Sequence, residues 1–269
     1  MKAAILNAGD GSWVFEEHAK RLSRALNLEI RASPSDSNYV LGWERAQEPS
    51  GASFIPLESV HLAADKRLLA QVFAAHQVAT PKTYLLDSEA EVEQIVRTQT
   101  QNEWVLKWPV GCGGSGHRLQ LINTPIPADW PRPFLLQEFV RLERPEVYRL
   151  YGVGGETFGW NARRFPSGAK TSPFVAHARG ARYEEAGKVP VEAEKQARLA
   201  LSATGLLASF GCVDLMCDAQ NRWLVLEVGT DGVFNHVDRD IGIGGIAEEI
   251  ERRLAAAFWK WLEDSHQDE

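Results

Sequence analysis

The stretch Val213–Gly232, VDLMCDAQNRWLVLEVGTDG, constrains the fold more than any other part of this chain. Phe210–Cys217 and Arg222–Val228 are apolar and β-branched, and Asp218-Ala219-Gln220-Asn221 between them is turn chemistry, which predicts a β-hairpin. Each strand carries one acid inside an apolar run, Asp214 and Glu227. A turn symmetric about Ala219 and Gln220 sets Cys217 opposite Arg222 and Asp214 opposite Val225. Period two then puts Glu227 on the same face as Asp214, at the diagonal spacing of about 7–8 Å. Two carboxylates on a buried face require a positive partner. Mg²⁺ carrying nucleotide phosphates fits, since it is held by one or two carboxylates plus phosphate oxygens. The alternative is that one acid is solvated at a strand end while the other pairs with an arginine.

The remainder reads as mixed α/β. Lys2–Ala8 is a first strand, Val14–Leu26 an amphipathic helix and Leu28–Ala32 a second strand, followed by a polar, irregular segment over 33–53. Leu62–His76 reads as one helix ending before Pro81. A strand (Thr83–Leu86) and a helix (Glu89–Arg97) follow, then strand, glycine loop and strand in WVLKWPVGCGGSGHRLQL, and the strand FLLQEFV. Val147–Arg164 alternates as a hairpin turning at Gly154-Gly155. Val191–Ser209 reads as a helix, and Ile246, Ile250, Leu254, Ala257, Phe258 and Trp261 form the apolar stripe of a last one. No repeat and no low-complexity tract interrupts this order.

With 29 basic against 36 acidic residues, the chain has no general surface for nucleic acid or an anionic membrane, and no apolar run is long enough to span a bilayer. The start lacks the pattern of a signal peptide. Cys112, Cys212 and Cys217 form no CxxC or zinc spacing, so a reduced cytoplasmic protein is expected.

Lys107 lies in the strand Trp104–Trp108, opposite in parity to Trp104, Leu106 and Trp108. A lysine in so apolar a strand needs an anionic partner. The loop that follows, Gly111-Cys112-Gly113-Gly114-Ser115-Gly116, is of the kind that brings backbone N–H groups close to phosphates. It lacks the Gly-Lys-Ser/Thr of a P-loop.

Six segments in order resemble the ATP-grasp superfamily, and within it the ribosomal-protein glutamate ligases and related peptide-modifying ligases. They are ADKRLLAQVFAAHQVATPKTYLL, WVLKWPVGCGGSGHRL, LLQEFV, YRLYGVGGETFGWNARR, HARG and GCVDLMCDAQNRWLVLEVGTDG, covering about three quarters of the chain from Ala64 onward. The resemblance implies an α+β ATP-grasp fold, with a short α/β lobe over 1–60 and a grasp domain over 61–269 (61–135 with the glycine loop, 136–269 with hinge and metal site). It implies that Lys66 and Lys107 contact nucleotide phosphates and that Gly113, Gly114, Ser115 and Gly116 close over them. Gln137, Glu138, Phe139 and Val140 become the hinge reading the adenine edge, and Glu143 a ribose partner. Asp214 and Glu227 would hold Mg²⁺, and Arg149, Arg164 and Arg179 would line the acyl-phosphate pocket.

The chain departs from that pattern at Gly229, where the family reads asparagine in Glu-x-Asn, which leaves Asp231, Asn235 or a water as the further ligand. Trp108 separates Lys107 from Pro109, and Val147 replaces the acid of Asp-x-Arg. His117, His177 and His236 are read as structural, with His177 the one nearest to a substrate role. The activity implied is that of an ATP-dependent carboxylate–amine ligase acting through an acyl phosphate, on small-molecule or peptide carboxylates and amines. The rival readings are a kinase of the same fold acting on a hydroxyl, and an ATP-binding module of weak catalysis. A homodimer is compatible with an enzyme of this kind.

Overall fold

The computed structural model describes residues 2–7, 13–42, 49–111, 116–230, 235–242 and 245–265, apart from the side chains of 13–15 and 235. Strand β1 (Ala3–Asn7), helix α1 (Trp13–Leu26) and strands β2 (Ile30–Arg31), β3 (Ser37–Leu41) and β4 (Ala52–Ser53) open the chain. The strands form a parallel sheet in the order β2-β1-β3-β4. Strand β3 corrects the expectation of an irregular segment, because all five of its residues are buried. Polar Ser37 and Asn38 conceal it. The Asn38 amide donates to the carbonyls of Ser35 (2.9 Å) and Ala52 (3.3 Å), and its Oδ1 accepts the Ser35 N–H (2.8 Å). An amide with its bonds made is buried at little cost.

The single helix expected over Leu62–His76 is instead two, α2 (Leu57–Ala64) and α3 (Lys66–Ala75). They break at Asp65, whose backbone is extended and whose carboxylate accepts the Arg67 N–H at 2.8 Å. An aspartate satisfying an orphan N–H in this way is a strong start signal, and it makes Lys66 the first residue of α3.

Next come β5 (Thr83–Leu86), α4 (Glu89–Thr98), β6 (Trp104–Lys107), β7 (His117–Gln120) and β8 (Phe134–Glu138). They form an antiparallel sheet in the order β5-β8-β6-β7. Helix α4 starts at a Ser88/Glu91 capping box and packs Val92 and Val96 with Trp104, Phe134 and Leu136 in a core separate from the main one.

The rest comprises β9 (Glu146–Val153), β10 (Glu156–Arg164), one 3-10 turn at His177–Arg179, β11 (Arg182–Glu185), α5 (Val191–Ala203), β12 (Phe210–Cys217), β13 (Trp223–Gly229), α6 (Asn235–Ile241) and α7 (Gly245–Asp264). The strands make an antiparallel sheet in the order β11-β10-β9-β12-β13. Helix α5 stops short of the expected Ser209, because the chain turns at Gly205 with φ +72°. Helix α7 buries Ile250, Leu254 and Phe258, and Phe258 meets Tyr39 and Phe54 of the first lobe. The first and third sheets thus share one core.

Candidate active site

The five-stranded sheet carries one row of polar residues across its strands. Cross-strand partners run Glu185↔Asn161, Asn161↔Arg149, Arg149↔Asp214 and Asp214↔Glu227. Two irregularities bring the row into line. In β13 an extra residue, Leu226, lies between the partners of Leu215 and Asp214, so Glu227 sits directly opposite Asp214 and not on the expected diagonal. In β10 the register shifts between Phe158 and Asn161, where Gly159 has φ +71°. A bulge flips every following side chain to the other face.

The second bulge decides which arginine reaches the site. A regular hairpin about Gly154-Gly155 would put Arg164 on the face of Arg149, whereas the bulge puts Arg163 there. Arg163, absent from the sequence expectation, donates from Nη2 to Asp214 Oδ2 at 2.6 Å. Arg149 forks onto the same carboxylate, Nε to Oδ1 at 2.7 Å and Nη2 to Oδ2 at 3.1 Å. Arg164 takes the opposite face, pairing with Glu146 at 2.6 Å and Glu184 at 3.1 Å. The Tyr183 ring lies against both inner guanidinium groups, 5.8 Å from Arg149 and 5.5 Å from Arg163. Burial alone would push the Asp214 carboxyl up, but Arg149 and Arg163 outweigh it and hold the group well below the carboxylate range.

Asp214 thus matches the alternative reading of the hairpin, an acid paired with arginine. Both its oxygens accept guanidinium N–H groups, and a metal there would have to displace one of them. Glu227 is placed differently. Its side chain is 37% exposed, lines a cavity and lies 3.3 Å from Lys66 Nζ. A single carboxylate beside a lysine fits a Mg²⁺ ion whose other ligands are phosphate oxygens and water. Among the described residues no three acidic, histidine or cysteine side chains converge as a metal cage.

The cavity, about 210 Å³, lies between the second and third sheets. At its polar end Lys66 also donates to the Gly111 carbonyl, and its own N–H bonds the Pro109 carbonyl at 2.9 Å, tying α3 to the segment after β6. Lys107 is 9% exposed. Burial brings its ammonium down to about 8, with Glu227 opposing and Lys66 adding to the fall. His117, paired with Lys107 across β6 and β7, is pushed down to about 3 by burial and by Lys107, Lys66 and Arg179. It is therefore a neutral imidazole at physiological pH.

At the other end Val105, Met216, Leu226 and Phe174 form apolar walls beside Gln137, Glu138, Phe139 and Val140. The Gln137 side chain is committed to Thr83, and the N–H groups of Glu138 and Phe139 bond Lys82 and Glu103. Arg179 is exposed and stacks 5.2 Å over Phe174. Glu143 is exposed and outside the cavity lining, where Glu146 stands instead. Gly113, Gly114, Ser115 and Asp231 lie outside the described residues, as does the side chain of Asn235; Gly116 is described and packs on Trp108. His177 stacks on His236 at 4.1 Å and approaches Asp240 at 3.2 Å.

No family model matches the sequence, and no curated protein matches it. Solved structures do. D-cycloserine synthetase DcsG superposes with a TM-score of 0.70 at 19% identity, over 97% of this chain and 99% of that one. The ATP-grasp ligase PsnB, in complex with a minimal precursor, Mg and ADP, gives 0.67 at 12% identity over 95% and 97%. D-alanine–D-alanine ligase from Bacillus anthracis, in complex with ATP, gives 0.68 at 12% over 99% and 98%. A parallel first sheet, two antiparallel sheets facing each other across a cavity, and matches that run almost end to end give one answer: the chain has the α+β fold of the ATP-grasp superfamily.

Proposed function

We propose that the protein is an ATP-dependent carboxylate–amine ligase, releasing ADP and phosphate. The observation that carries this reading is the cavity itself, which joins an apolar slot beside a hinge to Lys66, Lys107 and Glu227, and these in turn to Arg149 and Arg163. Among these groups and Asp214, four cations stand against two carboxylates, a local excess of two positive charges suited to a polyanion, while Glu138, Arg141 and Glu146 line other parts of the cavity.

In this reading the base lies between Val105 and the Met216–Leu226 wall. Among the described residues the Val140 N–H, unlike those of Glu138 and Phe139, has no backbone partner, and it meets the base edge. Lys66 and Lys107 hold the phosphates, and Mg²⁺, held by Glu227, would supply further charge neutralisation. A substrate carboxylate oxygen attacks the γ-phosphorus, the bond to ADP breaks, and the resulting acyl phosphate is attacked by an amine. The amine nitrogen bonds the carbonyl carbon, phosphate leaves and the amine loses a proton. The chain's contribution is orientation and electrostatic stabilisation. The similar structures include ligases by name, a D-alanine–D-alanine ligase in one case and PsnB complexed with a precursor peptide in another, which supports an amino acid or peptide substrate.

The test is ADP release with ATP and Mg²⁺, screening amino acids and small carboxylates singly and in pairs. Turnover should need a carboxylate and an amine together and vanish in Lys107→Ala and Glu227→Ala. Turnover with a single hydroxyl compound would establish a kinase, and nucleotide binding with no turnover, restored by Gly229→Asn, a weakened module.

A further inference from the structure

Asp214 and Arg163 stand in the cavity wall, and Arg149, outside the lining, joins the same carboxylate to close the unit. The side chains of Asp214, Arg149 and Arg163 are only 10%, 14% and 12% exposed, and three charge-assisted hydrogen bonds join them. Two cations against one carboxylate leave the unit with a net charge of +1. The Lys66–Lys107–Glu227 group beside it has the same balance. The cavity floor thus offers two adjacent anion-receiving positions rather than one basic patch.

Arg163 marks the second position by a donor that no protein group accepts. Its Nε–H is buried and has no acceptor, although Nη2 is held by Asp214 and Nη1 lies 3.4 Å from the Tyr183 hydroxyl. A buried donor without an acceptor is costly. Arg163 lines the cavity, so an oxyanion entering there supplies the missing acceptor. Asp214 holds two like-charged guanidinium groups side by side, which would otherwise repel each other, and Tyr183 stacks against both.

We infer that Asp214 is a positioning residue and not a metal ligand: it anchors Arg149 and Arg163 as a receptor for an oxyanion, and Glu227 is the carboxylate that meets the divalent cation. This inference rests on the reading of the cavity as a nucleotide site. The oxyanion is the transferred phosphoryl group or the substrate carboxylate, which share the chemistry a guanidinium fork recognises.

The experiment uses the full chain with ADP, Mn²⁺ in place of Mg²⁺, and inorganic phosphate or acetate as the anion probe. Mn²⁺ binding to the ADP complex is read by electron paramagnetic resonance, and anion binding by calorimetry or saturation-transfer NMR. Glu227→Gln should weaken Mn²⁺ by about tenfold or more, whereas Asp214→Asn should leave it nearly unchanged. Arg163→Gln and Arg163→Lys should each weaken anion binding by about tenfold while ADP affinity holds, which also shows that the variants are folded. Asp214→Asn raises the local charge yet should weaken the anion, because the guanidinium groups lose their orientation.

Loss at phosphate alone identifies a phosphoryl receptor, and loss at acetate alone a carboxylate receptor; either supports the assignment. Loss of Mn²⁺ in Asp214→Asn, tighter anion binding in that variant, or unchanged anion binding in both Arg163 variants would overturn it. Failure of the unsubstituted protein to bind ADP would instead strike the nucleotide reading on which it rests.

Discussion

Burial sets the Lys107 ammonium near 8, against 10.5 for an ordinary lysine, so its charge is costly in the folded protein at neutral pH. The sign follows from proton counts: between these two values the unfolded chain binds the extra proton, and the cost fades as pH rises through that window. Nucleotide phosphates favour the charged form. ATP binding should therefore take up a proton near pH 8, measurable by calorimetry in buffers of different ionisation enthalpy, and Lys107→Met should abolish that uptake. Equal uptake in the two proteins would refute the assignment. Gly116 supplies a second prediction at this scale. A Cβ there would stand 2.4 Å from the Trp108 Cβ, while the Gly116 carbonyl accepts the Trp108 N–H at 2.7 Å. Gly116→Ala must part β7 from β6, lowering the melting temperature by several degrees and weakening nucleotide binding.

Among the elements, the short helix α3 depends on its start. Asp65→Ala removes the bond to the Arg67 N–H and should cost about 1 kcal/mol, seen in the denaturant midpoint. It should also raise the Kd for ATP, since the cap fixes Lys66; Asp65→Asn, still able to cap, should restore most of both. The same element shows where a sequence is readable. The hairpin strands and the apolar stripe of α7 follow from periodicity, and both are present, as is the buried lysine of the apolar strand β6. The break at Asp65 does not, because the apolar pattern continues through it. Strand β3 is hidden by the polar Asn38, whose amide is satisfied by Ser35 close by and by Ala52 on the next strand. Arg163 was hidden by parity: counting by twos from the turn selects Arg164, and only the shift at Gly159 exchanges them. The leucine added before Glu227 likewise moved that acid from a diagonal to a direct neighbour of Asp214. Both bulges lie in hairpins of consecutive strands, and a count by twos from the turn does not register an inserted residue.

Across the whole molecule, α1, α7 and the first lobe share a core with the five-stranded sheet, while the lobe around β6 and β8 buries Trp104, Leu106, Phe134 and Leu136 among themselves. The cavity lies between these two bodies, so a ligand filling it should couple them. Hydrogen exchange should show β6, β7 and β8 gaining the greatest protection when ADP and Mg²⁺ are added, with β1 and β3 little changed. Uniform protection over all three sheets would contradict that division.

The lobe that carries Lys107 begins at β5 and ends at β8, and these two strands are paired, Thr83 opposite Gln137 and Leu86 opposite Phe134. Chain entry and exit therefore sit side by side. A segment attached in this way can be removed, exchanged or lengthened in a single genetic event, with the join closed by one tight turn and the remaining sheets left whole. The lobe that carries Lys107 is in this sense a replaceable cassette, and the body that holds Arg149, Arg163 and Asp214 keeps its own sheets when that lobe is exchanged.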